Sequence, residues 1–306
     1  MTMRMMTTED INNLVEHQLD CWTLARNNFD ALRAVGRRPL KSGDLTLYAQ
    51  HNPARAVSTG AKTDAASIKA RPCFLCKANR PEEQMDGEWM PGWELLVNPF
   101  PILPIHFSIV DTAHRPQDEI PLEMAAMAEA APDLAIFFNG ARAGASAPDH
   151  RHCQAVLKSE LPLLRLAEKA HTHDMADIVS SESFGLDLPF HFYSAIIRPD
   201  EIGMANLYRM TKIKGVDANT GCPDAGLVNA FFWIDASGYL RIIVIPRRAH
   251  RPSCYYAEGD RHFMVSPGAL DMAGLLILPA KEDYERMDAD KAREIYAEVA
   301  FADKLP

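Results

Sequence analysis

The segment Gly144-Ala145-Ser146-Ala147-Pro148-Asp149-His150-Arg151-His152-Cys153-Gln154 is a small-residue loop that runs directly into two histidines and a glutamine at alternate positions. Side chains two apart on a β-strand point to the same face, so a strand here sets His150, His152 and Gln154 along one surface, about 6–7 Å apart. The loop before them lets backbone N–H groups come close to a phosphate, because small residues leave the approach unobstructed. A bare His-x-His is more commonly a pair of hydrogen-bonded histidines in a half-buried strand. Gly144, Ala145 and Ser146 turn the reading toward phosphate chemistry, with His152 as a nucleophile, since neutral imidazole attacks phosphorus and splits a difficult transfer into two easier steps.

The flanking pattern supplies a setting for that strand. Residues 9–35 carry helical spacing (Ile11, Leu14, Val15, Leu19, Trp22, Leu24, Leu32), with a cap at Thr8 and a stop near Gly36. Residues 44–50 alternate as a strand does. Trp93-Glu94-Leu95-Leu96-Val97-Asn98 and His106-Phe107-Ser108-Ile109-Val110 are strands joined by a proline-rich link. An amphipathic helix follows over residues 119–131, then a strand Leu134-Ala135-Ile136-Phe137-Phe138-Asn139 that leads into the small-residue loop. The order is strand, strand, helix, strand, loop, strand.

With 306 residues the chain can bury a sizeable core as one large domain or two ordinary ones. Its net charge of −9 provides no broad basic surface for a nucleic-acid backbone, so no polymeric nucleic acid is expected as a partner. No stretch approaches the ~18–20 apolar residues of a membrane span, and the residues from Met1 to Asp10 hold no secretion signal. A cytoplasmic protein without membrane contact is the expectation.

Of six cysteines, only Cys73 and Cys76 are closely paired. In a reducing compartment C-x-x-C suggests metal or redox chemistry rather than a structural disulfide. Its proline-bracketed, polar surroundings, from Arg71-Pro72 to Arg80-Pro81, favour metal over a thioredoxin-type dithiol. Tetrahedral zinc would need two further ligands, with His106, His114 and His150 the candidates. Arg55, Lys62, Arg71 and Arg80 are each able to bind phosphate oxygens, although singly such residues are usually solvated charges. His171-Thr172-His173, followed by Asp174, has no glycine loop and reads as surface.

Short segments recur: Leu96-Val97-Asn98 as Leu227-Val228-Asn229, and Ala113-His114-Arg115-Pro116 as Ala249-His250-Arg251-Pro252. Asp235-Ala236-Ser237-Gly238 supplies a hairpin turn in the second copy, and Ser266-Pro267-Gly268 through Gly274 takes the place of the site loop without its histidines. Two tandem halves follow, 1–165 with the chemistry and 166–306 degenerate.

Cys73-Phe74-Leu75-Cys76 with Asn79, Asn98-Pro99-Phe100-Pro101, His114, Asn139 and Gly144-x-Ser146-x-Pro148-x-His150-x-His152-x-Gln154 together resemble galactose-1-phosphate uridylyltransferase, of the histidine-triad superfamily, over residues 50–155. Relatives in that superfamily phosphorolyse dinucleotides or GDP-sugars. The resemblance implies an α+β, histidine-triad-like fold, a nucleotidyl-histidine at His152, and Gln154 bonded to the transferring phosphate. It implies zinc on Cys73, Cys76, His114 and His150. It also implies that Asn139, Gly144 and Ser146 contact phosphates and that Asn98 and Phe100 lie near the nucleoside; Arg55 joins them as a substrate-binding cation. Asp149 is an extra residue in the motif, and Arg151 stands where the uridylyltransferase has proline, free to point away on the other strand face.

Gln154 can hydrogen-bond but cannot serve as a general acid, which favours phosphate leaving groups and acceptors over hydrolysis. The leading expectation is a nucleotidyltransferase moving a nucleoside monophosphate from a UDP-hexose-like nucleotide-sugar to a sugar phosphate or phosphate, with a homodimer admitted. The alternatives are a dinucleotide polyphosphate or GDP-sugar phosphorylase and, in another class, a non-catalytic zinc-stabilised nucleotide-binding protein.

Overall fold

Residue alternation assigns the two faces of a large sheet. A computed structural model describes residues 7–302 except Ser42, Asp86, Asp174 and Ala176. The strands are β1 Gly36–Leu40, β2 Leu47–His51, β3 Glu88–Met90, β4 Trp93–Val97, β5 His106–Asp111, β6 Leu134–Asn139, β7 His152–Leu157, β8 Val179–Ser180, β9 Tyr193–Ile197, β10 Gly215–Val216, β11 Pro223–Asp224, β12 Val228–Ile234, β13 Leu240–Pro246 and β14 Leu275–Leu278. Nine of them form one sheet in the order β3-β4-β5-β7-β6-β12-β13-β9-β8, with every neighbouring pair antiparallel. The expected strand, strand, helix, strand, loop, strand order is present as β4, β5, the helix Met124–Ala130, β6 and β7.

Along β6, Leu134, Ile136 and Phe138 enter one apolar cluster while Ala135 and Phe137 enter the other. β12 and β13 divide the same way, with Phe232 and Ile242 on one side and Phe231 and Ile243 on the other. Both faces are therefore buried, which explains why these strands read as continuous apolar runs. One face is covered by Ile11, Val15 and the helix Met124–Ala130. The other is covered by the helix Ala289–Val299, the helix Pro162–Ala170 and a second sheet in which β2 pairs antiparallel with β1 and parallel with β14.

Several boundaries differ from the sequence expectations for identifiable reasons. The N-terminal helix breaks into Thr8–Cys21 and Thr23–Ala31, because Trp22 is extended and buried. Its cap is Thr7, not Thr8: the Thr7 hydroxyl accepts from Asp10 N at 3.1 Å and the Asp10 carboxylate accepts from Thr7 N at 3.0 Å. The helix predicted over 119–131 begins only at Met124, beyond Pro121. Residues 1–6, included in the reading of the N-terminus, lie outside the described residues.

The hairpin of the second half is as expected, β12 and β13 joined through Gly238 at φ 83°. The repeat itself is not borne out in register: Leu96-Val97 ends β4, whereas Val228 begins β12. Moreover, the segment after Ser266 leads into β14, which pairs with β2 in the second sheet. His171 is not at the surface either. It is fully buried, with Nδ1 2.9 Å from Ser194 Oγ. His173 is partly exposed and 3.3 Å from Asp235, while Asp174 lies outside the described residues.

Candidate active site

His150 lies just outside the strand, because β7 starts at His152. At Arg151 the carbonyl closes the β5–β7 ladder by accepting from Asp111 N, while the N–H leaves the ladder to donate to Arg115 O. The motif divides into His150, beside the two cysteines, and the cavity-lining pair His152 and Gln154. β6 and β7 pair only from Leu134↔Leu157 to Phe137↔Gln154, after which they diverge. Gln117 fills the gap: its Nε2 donates to Asn139 O at 2.9 Å and His152 O at 2.8 Å, and its Oε1 accepts from His152 N at 2.8 Å. Gln117 is wholly buried and was not among the sequence candidates, although it directly follows the recurring Ala-His-Arg-Pro motif.

The His152 ring is buried, and its Nδ1 lies 2.8 Å from His150 O. A carbonyl can only accept, so the proton sits on Nδ1 and the lone pair on Nε2. Burial pushes this imidazole down to about 4, with the neighbouring His150 adding to the shift against the backbone hydrogen bond, so the ring is neutral at pH 7. Beside it, Gln154 Oε1 lies 2.9 Å from His106 Nε2.

Cys73, Cys76, His114 and His150 bring their ligand atoms within 4.8 Å of one another, and His106 is not among them. Cys73 Sγ is 3.3 Å from His150 Nδ1, Cys76 Sγ is 3.2 Å from His114 Nδ1 and 3.5 Å from His150 Nδ1. Sulfur and nitrogen donors around a tetrahedral ion with bonds of roughly 2.0–2.3 Å lie about 3.5 Å apart, so the spacing suits a four-coordinate metal. His150 Nε2 donates to Asp111 O at 2.8 Å, which turns the Nδ1 lone pair toward the sulfurs. Burial opposes charge on both thiols. At Cys73 the His150 contact and the backbone N–H groups of Leu75 and Cys76 together outweigh it and draw the thiol down, while Cys76 is raised by burial and by Cys73. With Cys73 hindering the ionisation of Cys76, the pair gains from a cation between the two sulfurs. These four residues fit a metal, and a closed set of this kind leaves no position for substrate.

A cavity of about 610 Å³ opens over the strand face. The residues that the sequence resemblance assigned to substrate, together with Arg55, line it: Asn98, Phe100 and Arg55 on one side, and Asn139, Gly144 and Ser146 next to His152 and Gln154. Asn98 Oδ1 accepts from Phe100 N at 3.0 Å, which forms the turn that presents the phenyl ring. Arg55 is half-buried and donates to Phe100 O at 2.7 Å; burial lowers it to about 10, still a cation at pH 7. Lys62 and Arg71 also line the cavity, Arg71 paired at 2.9 Å with Asp149, the extra residue of the motif. Arg80 is not a phosphate ligand: it is buried against Glu94 at 2.7 Å. Arg151 points away from the cavity, as expected, to Asp111 at 2.6 Å and the Trp93 ring at 5.0 Å.

The second half forms the far wall with His250, Arg251, Gly268, Ala269 and Asp271. Asn139 joins the halves, its Oδ1 accepting from Ala269 N at 2.7 Å and Asn229 Nδ2 at 3.0 Å. Arg251 Nε donates to Ser266 Oγ at 2.9 Å and its Nη2 to Ala61 O at 2.8 Å. Sequence reasoning missed these residues as site components, although the second Ala-His-Arg-Pro and the segment from Ser266 to Gly274 had marked where they lie.

Among known proteins, a family model described as "Domain of unknown function (DUF4922)" matches residues 14–157. No curated protein matches. The crystal structure of yeast Ap4A phosphorylase Apa2 superimposes with a TM-score of 0.57 at 15% identity, covering 92% of this chain and 98% of that one. The chain shares that enzyme's fold. The complex of the yeast enzyme with AMP gives a TM-score of 0.58 at 15% identity over 94% and 97% of the two chains, and the complex with Ap4A gives 0.57 at 14% over 92% and 98%. The α+β, histidine-triad-like fold expected from the sequence is thus the observed one. No helix of the described residues is long and apolar enough to cross a membrane.

Proposed function

We propose that this protein is a nucleotidyl-transferring phosphorylase of dinucleoside polyphosphates, working through a covalent nucleotidyl-His152. The observation that carries the reading is the pairing of His152, whose Nδ1 is engaged by His150 O so that Nε2 is the free nitrogen, with Gln154 in one cavity. Nε2 attacks the phosphorus next to one nucleoside, and the bond to the departing nucleoside polyphosphate breaks. An oxygen of inorganic phosphate then attacks the same phosphorus, the P–N bond breaks, and a nucleoside diphosphate leaves with His152 neutral again. Neither step needs a general acid strong enough to protonate an alkoxide, which suits a glutamine at position 154. Positioned donors and the cations Arg55, Lys62 and Arg71 would stabilise the phosphoryl oxygens.

The uridylyl transfer from a nucleotide-sugar that the sequence resemblance put first has less support than this alternative, because the likeness in fold is to yeast Ap4A phosphorylase Apa2, solved with AMP and with Ap4A. We assign the chemistry to residues 1–165 and the far wall of the substrate cavity to residues 166–306. Asn139, Gly144 and Ser146 are proposed to contact the phosphates, and Asn98 and Phe100 the nucleoside. Zinc is the ion proposed for Cys73, Cys76, His114 and His150, since two thiolates and two imidazoles suit it. Its role would be to hold the turn that leads into His152 rather than to activate water.

The test is product analysis. With a dinucleoside tetraphosphate, turnover beyond one equivalent of enzyme should occur only when inorganic phosphate is present, giving equal amounts of nucleoside diphosphate and triphosphate. Product formation from UDP-glucose and a sugar phosphate, with none from dinucleotides, would replace the phosphorylase reading by the uridylyltransferase one.

A further inference from the structure

On β5, His106 and Ser108 point to the same face as His152 and Gln154 on β7. The register pairs Ser108 with Gln154, so His106 reaches Gln154 along the diagonal. The His106 ring is wholly buried and both its nitrogens are engaged: Ile102 N donates to Nδ1 at 3.1 Å, and Nε2 lies 2.9 Å from Gln154 Oε1. A ring nitrogen that accepts a backbone N–H carries no proton, so the proton of the neutral ring is on Nε2 and is donated to the carbonyl oxygen of Gln154. A glutamine amide has two chemically opposite ends. With Oε1 held from below, the NH2 end is the one left for the cavity that Gln154 lines.

We infer that His106 is a positioning residue: by holding Gln154 Oε1, it sets the Gln154 amide so that N–H donors, and not a carbonyl oxygen, meet the phosphate undergoing transfer at His152. The inference rests on the phosphorylase reading. The opposite amide orientation would set an oxygen against phosphate oxygens and lose two donors. Burial and the cation of Arg55 push His106 down to about 3, so the ring stays neutral and its tautomer fixed across the physiological range. The Ile102 N–H is supplied by the loop between β4 and β5, which also carries Asn98 and Phe100, so the nucleoside side of the cavity and the phosphate donor share one scaffold.

Two substitutions separate this role from mere packing. In His106→Asn the amide can still meet the Ile102 N–H but stops short of Gln154. In His106→Gln the longer side chain keeps a donor at the former Nε2 position. Phosphorolysis of a dinucleoside tetraphosphate should show kcat about 10–100-fold lower in His106→Asn with KM changed little, and a loss of only a few-fold in His106→Gln. In a Gln154→Ala background, His106→Asn should cost nothing further. The reverse order of the two variants, or an undiminished loss in the Gln154→Ala background, would overturn the inference. Should the wild-type protein form no product from any dinucleotide, the phosphorylase reading falls by itself; nitrogen-15 NMR of the wild-type histidines still decides the orientation. A neutral His106 with its proton on Nε2 between pH 5 and 8 supports it, and a proton on Nδ1 or a titrating ring contradicts it.

Discussion

Gly144 and Gly268 meet backbone to backbone, so close that a Cβ on Gly144 would lie 2.5 Å from the Cα of Gly268. The contact seals the small-residue loop against the second half, and Gly268 in turn is followed by Ala269, whose N–H donates to Asn139. Gly144 also has φ 98°, where a side chain is strained whatever the space. Gly144→Ala should therefore lower the stability by about 2 kcal/mol or more, visible as a reduced urea midpoint at unchanged slope. An unshifted midpoint would mean that the two loops are not in contact.

The metal cluster predicts a coupled loss. Replacing Cys73 and Cys76 together by serine should abolish stoichiometric metal and lower the melting temperature by much more than a typical surface substitution, because the energy of binding metal is energy of folding. It should also slow any chemistry at His152, since His150, whose carbonyl holds the His152 ring, is itself a ligand. Unchanged metal content and melting temperature would remove the cluster from the account.

Arg55 is a half-buried cation with one hydrogen bond to Phe100 O in a cavity whose far wall contains Asp271. Arg55→Ala should weaken binding of a nucleoside monophosphate about 10-fold or more, as expected for one charge-assisted contact, and Arg55→Lys should recover only part of it. Burial pushes Asp271 up to about 6, and Arg55 is the larger of the two cationic influences that moderate it. Loss of Arg55 should therefore raise Asp271 further. Calorimetric titration with the monophosphate at pH 5.5 and 7.5 measures both effects; affinity unchanged in Arg55→Ala would show that the cation does not reach the ligand.

Stability should fall in mild acid. His106 and His250 are both pushed down to about 3, His106 by burial and Arg55, and His250 by burial and the cations Arg251, Arg247 and Arg142. Between about pH 3 and the unfolded value near 6.5, the unfolded chain binds more protons than the folded one, so stability rises with pH across that window and is complete above it. Each such histidine contributes a slope of at most about 1.4 kcal/mol per pH unit. In urea titrations between pH 4.5 and 6.5, His106→Gln should show a shallower slope than the wild type; an identical slope would mean that His106 is free to protonate in the folded protein.

The motif strand was legible because its chemistry is local: small residues, then His152 and Gln154 two apart, then an apolar run that fills both faces of the sheet. The eight residues expected to handle substrate all line one cavity, and the four expected to hold metal cluster, for the same reason. What was not legible depends on long-range pairing. Nothing near His150 announces that the strand begins only at His152, with Arg151 N tied to Arg115 O, so the alternation carried the strand two residues too far. His106 was weighed as a ligand because a histidine near a C-x-x-C invites it, but its partners Ile102 and Gln154 are set by the loop geometry and the β5–β7 register. His171 read as surface because its burial comes from contacts with Ser194 and Phe184, distant in the chain. The recurring Leu-Val-Asn segments do not share a register, because one ends β4 and the other begins β12.

The central claim is that His152 forms a covalent bond to a nucleoside monophosphate. Intact-mass measurement of the protein mixed with a dinucleoside tetraphosphate, without inorganic phosphate, tests it most directly. The account predicts an added mass of one nucleoside monophosphate, absent in His152→Ala and discharged by phosphate. A folded wild-type protein that turns the dinucleotide over without ever carrying that mass, or a His152→Ala protein that still carries it, would contradict the account.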